Sequence, residues 1–127
     1  MYSKLIEIAR TMALNHRDYR RFHMTFIMYR NRVISVGTCN PNKTHPRNLN
    51  YPYENPGFKG IHSELDAIIK LGEEDCRDYT FINIKIDKNN NTAVSRPCVG
   101  CAALLHQVGY KKLLYSVEED KFEEWKN

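Results

Sequence analysis

Two short motifs carry the residue types that zinc chemistry requires. One is His-Ser-Glu at residues 62–64, and the other is Pro-Cys-Val-Gly-Cys at residues 97–101. Imidazole nitrogens and thiolate sulfurs are common zinc ligands, and a site with only three protein ligands leaves the fourth tetrahedral position to water. The motifs therefore predict one zinc ion per chain, held by His62, Cys98 and Cys101, in a site of the catalytic kind.

Glu64 is the predicted proton carrier of this site. Zinc lowers the pKa of a bound water towards about 7, so that hydroxide is available at neutral pH. Because Glu64 lies two residues beyond His62, we expect it to stay off the metal. Its carboxylate can take a proton from the water and pass protons to a ring nitrogen and to a departing amine. This combination predicts hydrolytic deamination of a nucleobase.

A closed structural zinc site is the competing interpretation of the same ligands, and it needs a fourth protein ligand. The sequence offers four candidates: Cys39, Cys76, His45 and His106. His106 follows Cys101 by five residues on one predicted helix, so it turns away from the ligand face. We interpret the other cysteines and two further histidines as ordinary structural residues: Cys39, Cys76, His16 and His23.

Both motifs are predicted to begin helices. After Gly60, apolar residues recur at helical spacing as far as Leu71, which places His62 and Glu64 in a first turn. The cysteine motif begins another predicted helix, over residues 98–108. The positive partial charge at its N-terminus favours the thiolate forms of the two cysteines, which lie three residues apart and therefore on one side.

The rest of the chain alternates between helical and strand patterns. Such alternation is typical of layered α/β folds. We expect a three-layer α/β/α fold in a single domain over residues 1–127, with a mixed sheet of four or five strands and helices on both faces. The other predicted elements are a helix at 2–16, a hairpin of strands at 22–29 and 33–37, strands at 79–86 and 112–117, and a short charged helix at 119–126.

The composition and charge limit the partners. No apolar run approaches the roughly 20 residues of a membrane span, and the N-terminus lacks the order of a secretory signal. We therefore expect a cytoplasmic protein without a membrane partner, in the host cytoplasm if a phage encodes it. The formal net charge is +4, from 19 basic and 15 acidic residues. This charge suits an anionic small ligand but is too mild to demonstrate a nucleic-acid partner.

A long loop is predicted at residues 38–60, where four prolines block regular structure. Lys43, His45 and Arg47 lie in this loop and could hold a substrate 5′-phosphate. An ordered surface connection without a ligand is the alternative interpretation.

The two motifs and their surroundings resemble the cytidine and deoxycytidylate deaminase superfamily, and the likeness covers nearly the whole chain. The small phage-type nucleotide deaminases are the most similar subgroup, because four segments follow their order: residues 43–46, 62–68, 95–101 and 109–115. The resemblance implies a cytidine-deaminase-like fold, zinc held by His62, Cys98 and Cys101, and Glu64 as the general acid and base.

The resemblance also implies contacts in the substrate pocket. Asn40 would bond the base or sugar, the Ser63 backbone N–H would meet the ring carbonyl oxygen, and the Arg96 carbonyl would accept from the departing amine. Ser63 replaces the commoner alanine, which the backbone contact should tolerate. Arg96 stands where small or acidic residues are more usual, and its side chain reaches either substrate phosphate or solvent.

Oligomers and a fifth strand are frequent in that superfamily. We accordingly expect a homo-oligomer, but residues 118–127 show no pattern for the additional strand.

The leading hypothesis is deamination of cytosine to uracil, with ammonia release, in a free pyrimidine nucleotide such as dCMP. A polynucleotide cytosine or adenine deaminase, acting on single-stranded DNA or RNA, is the second hypothesis. It draws on aromatic and basic residues that could stack and steer a strand: Arg47, Tyr51, Tyr53, Phe58 and Lys59. The third is a non-catalytic binding module with zinc as a structural staple, against which the presence of Glu64 argues.

Overall fold

The computed structural model describes residues 2–16, 21–39 and 62–126. Within these ranges helices and strands alternate along the chain, as expected for an α/β domain. The helices are α1 (Ser3–Leu14), α2 (Ser63–Leu71) and α3 (Val99–Val108). The strands are β1 (Arg21–Tyr29), β2 (Arg32–Thr38), β3 (Thr80–Asp87), β4 (Thr92–Ala93), β5 (Lys112–Val117) and β6 (Lys121–Glu124).

The strands form one mixed sheet in the order β2-β1-β3-β5-β6, with β4 paired to β3. The β3 and β5 strands are parallel, and the other pairs are antiparallel. The β3 strand follows α2 and the β5 strand follows α3 in the chain. The N-termini of both helices therefore lie near the carboxyl ends of β3 and β5, where open α/β sheets usually bind ligands.

Helices cover both faces of the sheet, as the α/β/α prediction requires. Alternate residues of β3 separate the two layers, because successive side chains of a strand point to opposite faces. Phe81 packs in the core beneath α2 and α3. Ile82, Ile84 and Ile86 pack against α1. The predicted three-layer fold is thus confirmed.

The β1–β2 hairpin has the predicted tight turn. Tyr29 pairs with Arg32, so that only Arg30 and Asn31 connect the strands. Both have positive φ angles, 50° and 65°, as a two-residue type I′ turn requires.

The predicted charged helix at 119–126 is wrong, since this segment contains β6. The strand forms a hairpin with β5, and positive φ angles at Glu119 and Asp120 reverse the chain between them. Phe122 packs against Tyr2 of the α1 side, with ring centroids 5.8 Å apart. Strand pairing and the packing of the partly buried Phe122 therefore outweigh the helical propensity of the charged residues.

Over residues 2–16, 21–39 and 62–126 the sheet consequently has six strands instead of the expected four or five. The two unpredicted strands are β6 and the two-residue β4, which is too short for a recognisable alternating pattern. No helix in the described ranges is long and apolar enough to cross a membrane.

Candidate metal centre

The three predicted ligands meet between the N-termini of α2 and α3. His62 is the N-cap of α2, Cys98 is the N-cap of α3, and Cys101 lies in the first turn of α3. The His62 Nδ1 atom lies 3.3 Å from each of the two sulfur atoms. All three ligand atoms lie within 4.8 Å of one another. Residues that are 36 and 39 positions apart are thus brought into one group.

The dimensions of this group fit a zinc ion. Zn–S bonds of about 2.3 Å and Zn–N bonds of about 2.0–2.1 Å at tetrahedral angles place nitrogen and sulfur about 3.5 Å apart. One imidazole nitrogen and two sulfurs are also a donor set that zinc binds well. Within the described ranges the group contains these three residues alone, so Cys39, Cys76 and His106 do not complete it.

The two cysteines differ in acidity although they are close together. A hydrogen bond from the Cys101 thiol, together with one from the His62 ring, lowers the pKa of Cys98 to about 4, against the opposing effect of burial. The Cys101 backbone N–H also donates to Cys98 Sγ, at 3.4 Å. The same thiol contact and burial raise the pKa of Cys101 well above its ordinary value. Cys98 is therefore the thiolate of the pair, and a cation that binds both sulfurs releases the Cys101 proton.

Glu64 lies beside this group in a buried position. Only 7% of its surface is exposed, and burial raises the pKa of its carboxyl group above the ordinary value. The Oε2 atom accepts a hydrogen bond from Asn83 Nδ2 at 3.1 Å, and the Oε1 atom lies 3.2 Å from Ser63 Oγ. The carboxyl group is thus held at both of its oxygen atoms.

Two strands of the sheet complete a buried polar network around Glu64, which consists of Thr25, Ser63, Glu64 and Asn83. Thr25 Oγ1 donates to Asn83 Oδ1 at 2.8 Å, because an amide oxygen can only accept. Thr25 Oγ1 also lies 2.8 Å from Ser63 Oγ. Since the Thr25 proton is already used, Ser63 is the donor when these two hydroxyls are bonded. Every member of the network is buried.

Ser63 was expected to contribute only its backbone N–H, but its hydroxyl is part of this network. Thr25 and Asn83 were missed altogether. The signal for them was available, since each is a polar residue in a strand whose neighbours are apolar. What the pattern alone does not indicate is that the two side chains meet Ser63 and Glu64, which lie 38 and 19 residues away respectively.

Ser95 fastens the segment before Cys98 to the sheet. Its hydroxyl lies 2.9 Å from the Asn83 carbonyl oxygen and 2.9 Å from Ser116 Oγ. Its backbone N–H donates to the Ser116 carbonyl at 3.1 Å. Both candidate metal-ligand motifs are therefore tied to the strand that carries Asn83.

The α2 helix lies very close to β2, and Gly37 makes this approach possible. A Cβ atom at residue 37 would lie 2.2 Å from the Ser63 carbonyl oxygen and 2.3 Å from the Ala67 nitrogen. Thr38 N–H donates to the Asp66 carboxylate at 2.9 Å, which fixes the first turn of the helix. The helix start that carries His62 and Glu64 thus has little freedom to move.

Arg96 lies on the side of the centre that faces β5. Its guanidinium group is 5.4 Å from the centroid of the Tyr115 ring, and its Nη2 atom is 3.4 Å from Tyr115 Oη. Tyr115 Oη in turn donates to Glu123 at 3.1 Å. The side chain is thus in contact with protein, and its predicted contact with a substrate phosphate stays a prediction. The other predicted substrate contacts lie outside the described residues: Asn40, Lys43, His45 and Arg47.

His23 is nearer to the centre than its interpretation as a structural residue suggested. It lies opposite Lys85 across the β1–β3 ladder. Burial, and to a lesser extent the charges of Lys85 and His62, lowers the pKa of His23 to about 3. His23 is therefore a neutral imidazole at physiological pH.

Two comparisons with known proteins found no match: no family model matches the chain, and no curated protein does.

Proposed function

We propose that this chain is a zinc-dependent hydrolytic deaminase of the cytidine and deoxycytidylate deaminase superfamily. The proposed reaction converts a cytosine base to uracil with release of ammonia, on a free pyrimidine nucleotide such as dCMP. The observation that carries the proposal is the buried carboxyl group of Glu64 beside a metal-ligand group of one histidine and two cysteines.

His62, Cys98 and Cys101 would hold the metal in this function. A bound zinc ion supplies Lewis-acid chemistry that makes water a nucleophile at neutral pH. Glu64 takes one proton from the attacking water and delivers it to the ring nitrogen next to the reacting carbon. When the carbon–nitrogen bond to the amine breaks, Glu64 transfers the second proton of the water to the amine, which leaves as ammonia.

The buried network supports a proton-carrying role for Glu64 because it can satisfy the carboxyl group in both protonation states. When Glu64 is ionised, the Ser63 hydroxyl can donate to Oε1. When Glu64 carries a proton, it can donate to Ser63 Oγ, and the Ser63 hydroxyl then donates to Thr25. Asn83 donates to the other carboxyl oxygen in both cases. Only one hydroxyl group has to rotate during the exchange.

Burial of Glu64 also argues against a purely structural metal site. An acid that is removed from water costs free energy unless it is hydrogen-bonded. A structural zinc site closes with four protein ligands and has no task for such a group. Two polar side chains, those of Ser63 and Asn83, hold this one carboxyl group, and Thr25 in turn bonds both of them. This arrangement is understandable if the carboxyl group takes part in a reaction.

The test is ammonia release from four substrates: dCMP, CMP, deoxycytidine and cytidine. We expect release by the parent protein and a loss of at least about 100-fold in kcat for Glu64→Gln, because general acid–base catalysis contributes roughly 10²–10⁴-fold. Zinc content measured by atomic absorption should be the same in both proteins. The absence of ammonia from all four substrates with the zinc-loaded parent protein would contradict the proposal.

A single-stranded oligonucleotide with one cytosine tests the polynucleotide alternative. The aromatic and basic residues on which that alternative depends lie between residues 47 and 59, outside the described residues. Uracil formation in the oligonucleotide without reaction of the mononucleotides would reverse the order of the two hypotheses. Equal zinc content with no reaction of either kind would favour the binding module.

A further inference from the structure

A second polar row lies on the sheet next to the buried network. His23 lies two residues before Thr25 on β1, and Lys85 lies two residues after Asn83 on β3. Both are therefore on the same face of the sheet as Thr25 and Asn83. They are direct cross-strand partners. At a rise of about 3.3 Å per residue, the row lies about 6.6 Å from Asn83 along the strand.

The row faces the region where a substrate would bind. Asn83 contacts Glu64, and the row lies further towards the carboxyl end of β3. In open α/β sheets the ligand crevice is located outside these strand ends. A base that reaches Glu64 would therefore leave the rest of its nucleotide close to His23 and Lys85.

Lys85 is a partly buried cation without an ion pair in the described part of the chain. The nearest acid along the strand is Asp87, whose carboxylate accepts hydrogen bonds from the backbone N–H groups of Asn89 and Asn91. Arg21, opposite Asp87 on β1, adds a second positive charge to this end of the sheet. Burial, followed by the charge of Arg21, lowers the pKa of Lys85, and the opposing charge of Asp87 only partly offsets this effect.

We propose that Lys85 and His23 form a subsite for the 5′-phosphate of the substrate nucleotide. The Lys85 ammonium group supplies charge-assisted hydrogen bonds, and the neutral His23 ring supplies one N–H donor. This inference rests on the proposed deaminase function and narrows its substrate class to nucleoside monophosphates. It also assigns phosphate binding to side chains of the sheet instead of the loop residues Lys43, His45 and Arg47.

The kinetic test compares dCMP with deoxycytidine, which lacks the phosphate. For Lys85→Met we expect kcat/KM with dCMP to fall at least about tenfold, and kcat/KM with deoxycytidine to stay within about twofold of the parent value. Lys85→Arg keeps the charge and should retain most of the dCMP activity. The matched control is Lys88→Met, which removes an exposed lysine three residues further along the chain. Equal losses for both substrates, or no loss for dCMP, would overturn the subsite.

A binding measurement separates this inference from the proposed function because it requires no turnover. Calorimetry should show that the zinc-loaded protein binds dUMP more tightly than deoxyuridine. The variant Lys85→Met should lower the ratio of the two dissociation constants at least about tenfold. If dUMP binding depends on Lys85 but no cytosine compound is deaminated, the subsite stands and the proposed function fails. If deamination occurs but dUMP and deoxyuridine bind equally well, the function stands and the subsite fails.

The source of the phosphate is tested with the single-stranded oligonucleotide. Should Lys85→Met lower its binding or deamination while leaving dCMP unaffected, the row would serve a polynucleotide backbone, and the assignment to a free nucleotide would be overturned. Thermal unfolding and zinc content of each variant, both expected to match the parent protein, exclude a general loss of structure.

Discussion

At the scale of single residues, Glu64 and Cys98 carry most of the chemistry of the candidate site. Glu64 is buried, and its carboxyl group is held by hydrogen bonds from side chains of α2 and β3. Cys98 has a pKa of about 4 because the Cys101 thiol and then the His62 ring donate to it. In both residues the surroundings shift the pKa of the side chain away from its ordinary value.

Asn83 is expected to position Glu64 for catalysis. The variant Asn83→Leu removes the donor to the carboxyl group, and a hydrogen bond to a charged group contributes about 1.5–3 kcal/mol. We therefore expect kcat with dCMP to fall about 10- to 100-fold, with KM and zinc content unchanged. Thr25→Val is the second variant of the network: its hydroxyl bonds Asn83 and Ser63 but does not touch Glu64, so its effect on kcat should be smaller than that of Asn83→Leu. An unchanged kcat in Asn83→Leu would show that Asn83 does not position the acid.

Selective alkylation at acidic pH should reveal the Cys98 thiolate. With a pKa near 4, Cys98 is almost fully ionised at pH 6, whereas an ordinary thiol with a pKa of about 8.5 is protonated. After zinc removal with a chelator, iodoacetamide at pH 6 should modify Cys98 first, and the rate should fall only as the pH falls towards 4. Burial raises the pKa of Cys39, so it should react more slowly. Peptide mass mapping checks this order, and protection of Cys98 by added zinc is the control. Faster labelling of Cys39 would contradict it.

At the scale of elements, the site depends on how closely α2 lies against β2. The contact requires a residue without a Cβ atom at position 37, because backbone atoms of α2 occupy the space. Ser35 Oγ adds a hydrogen bond to the Ala67 carbonyl oxygen at 2.7 Å. The strand thus sets the position of the helix that begins with the candidate metal ligand His62.

Gly37→Ala should consequently disturb the site as well as the fold. A methyl group forced into a packed region destabilises proteins by about 1–3 kcal/mol. Because the α2 helix must shift, we also expect lower zinc affinity and at least about tenfold lower ammonia release from dCMP. Urea unfolding and a zinc titration measure the two effects.

Gly72→Ala is the matched control for this substitution. Gly72 has a φ angle of 76° and no atom within 4 Å of the position that a Cβ would occupy. Its replacement should cost about 1–2 kcal/mol through backbone strain alone, with zinc affinity unchanged. Equal zinc affinity in both variants would show that the α2–β2 contact does not position the ligand.

At the scale of the whole molecule, the α1 helix and the β5–β6 hairpin stabilise the sheet on the side away from the site. Arg10 of α1 forms an ion pair with Asp120 in the β5–β6 turn and donates to the Asn90 carbonyl oxygen at 3.0 Å. Among the strands of the described residues, the two outer ones are β2 and β6. Of these, β2 exposes the apolar side chains of Val33 and Ile34, which is unusual for a sheet edge that remains in water.

We expect the protein to form a homo-oligomer, as the resemblance to oligomeric deaminases implies. Light scattering during size-exclusion chromatography should therefore give a mass that is an integer multiple, two or more, of the chain mass of 14.9 kDa. The measurement is best repeated over a range of concentrations, because association follows mass action. A mass of one chain at all concentrations would contradict this expectation.

Much of this protein could be read from short stretches of the sequence. The candidate metal-ligand motifs, their place at the starts of two helices and the α/β/α class follow from residue types and periodicities that act over one to three turns or a single strand. The β6 strand, the network of Thr25, Ser63, Glu64 and Asn83, and the row of His23 and Lys85 could not be obtained in this way. They depend on strand pairing and on contacts between residues up to 58 positions apart. Local patterns contain no information about which distant side chains share a face, and that arrangement arises only when the sheet and its helices pack together.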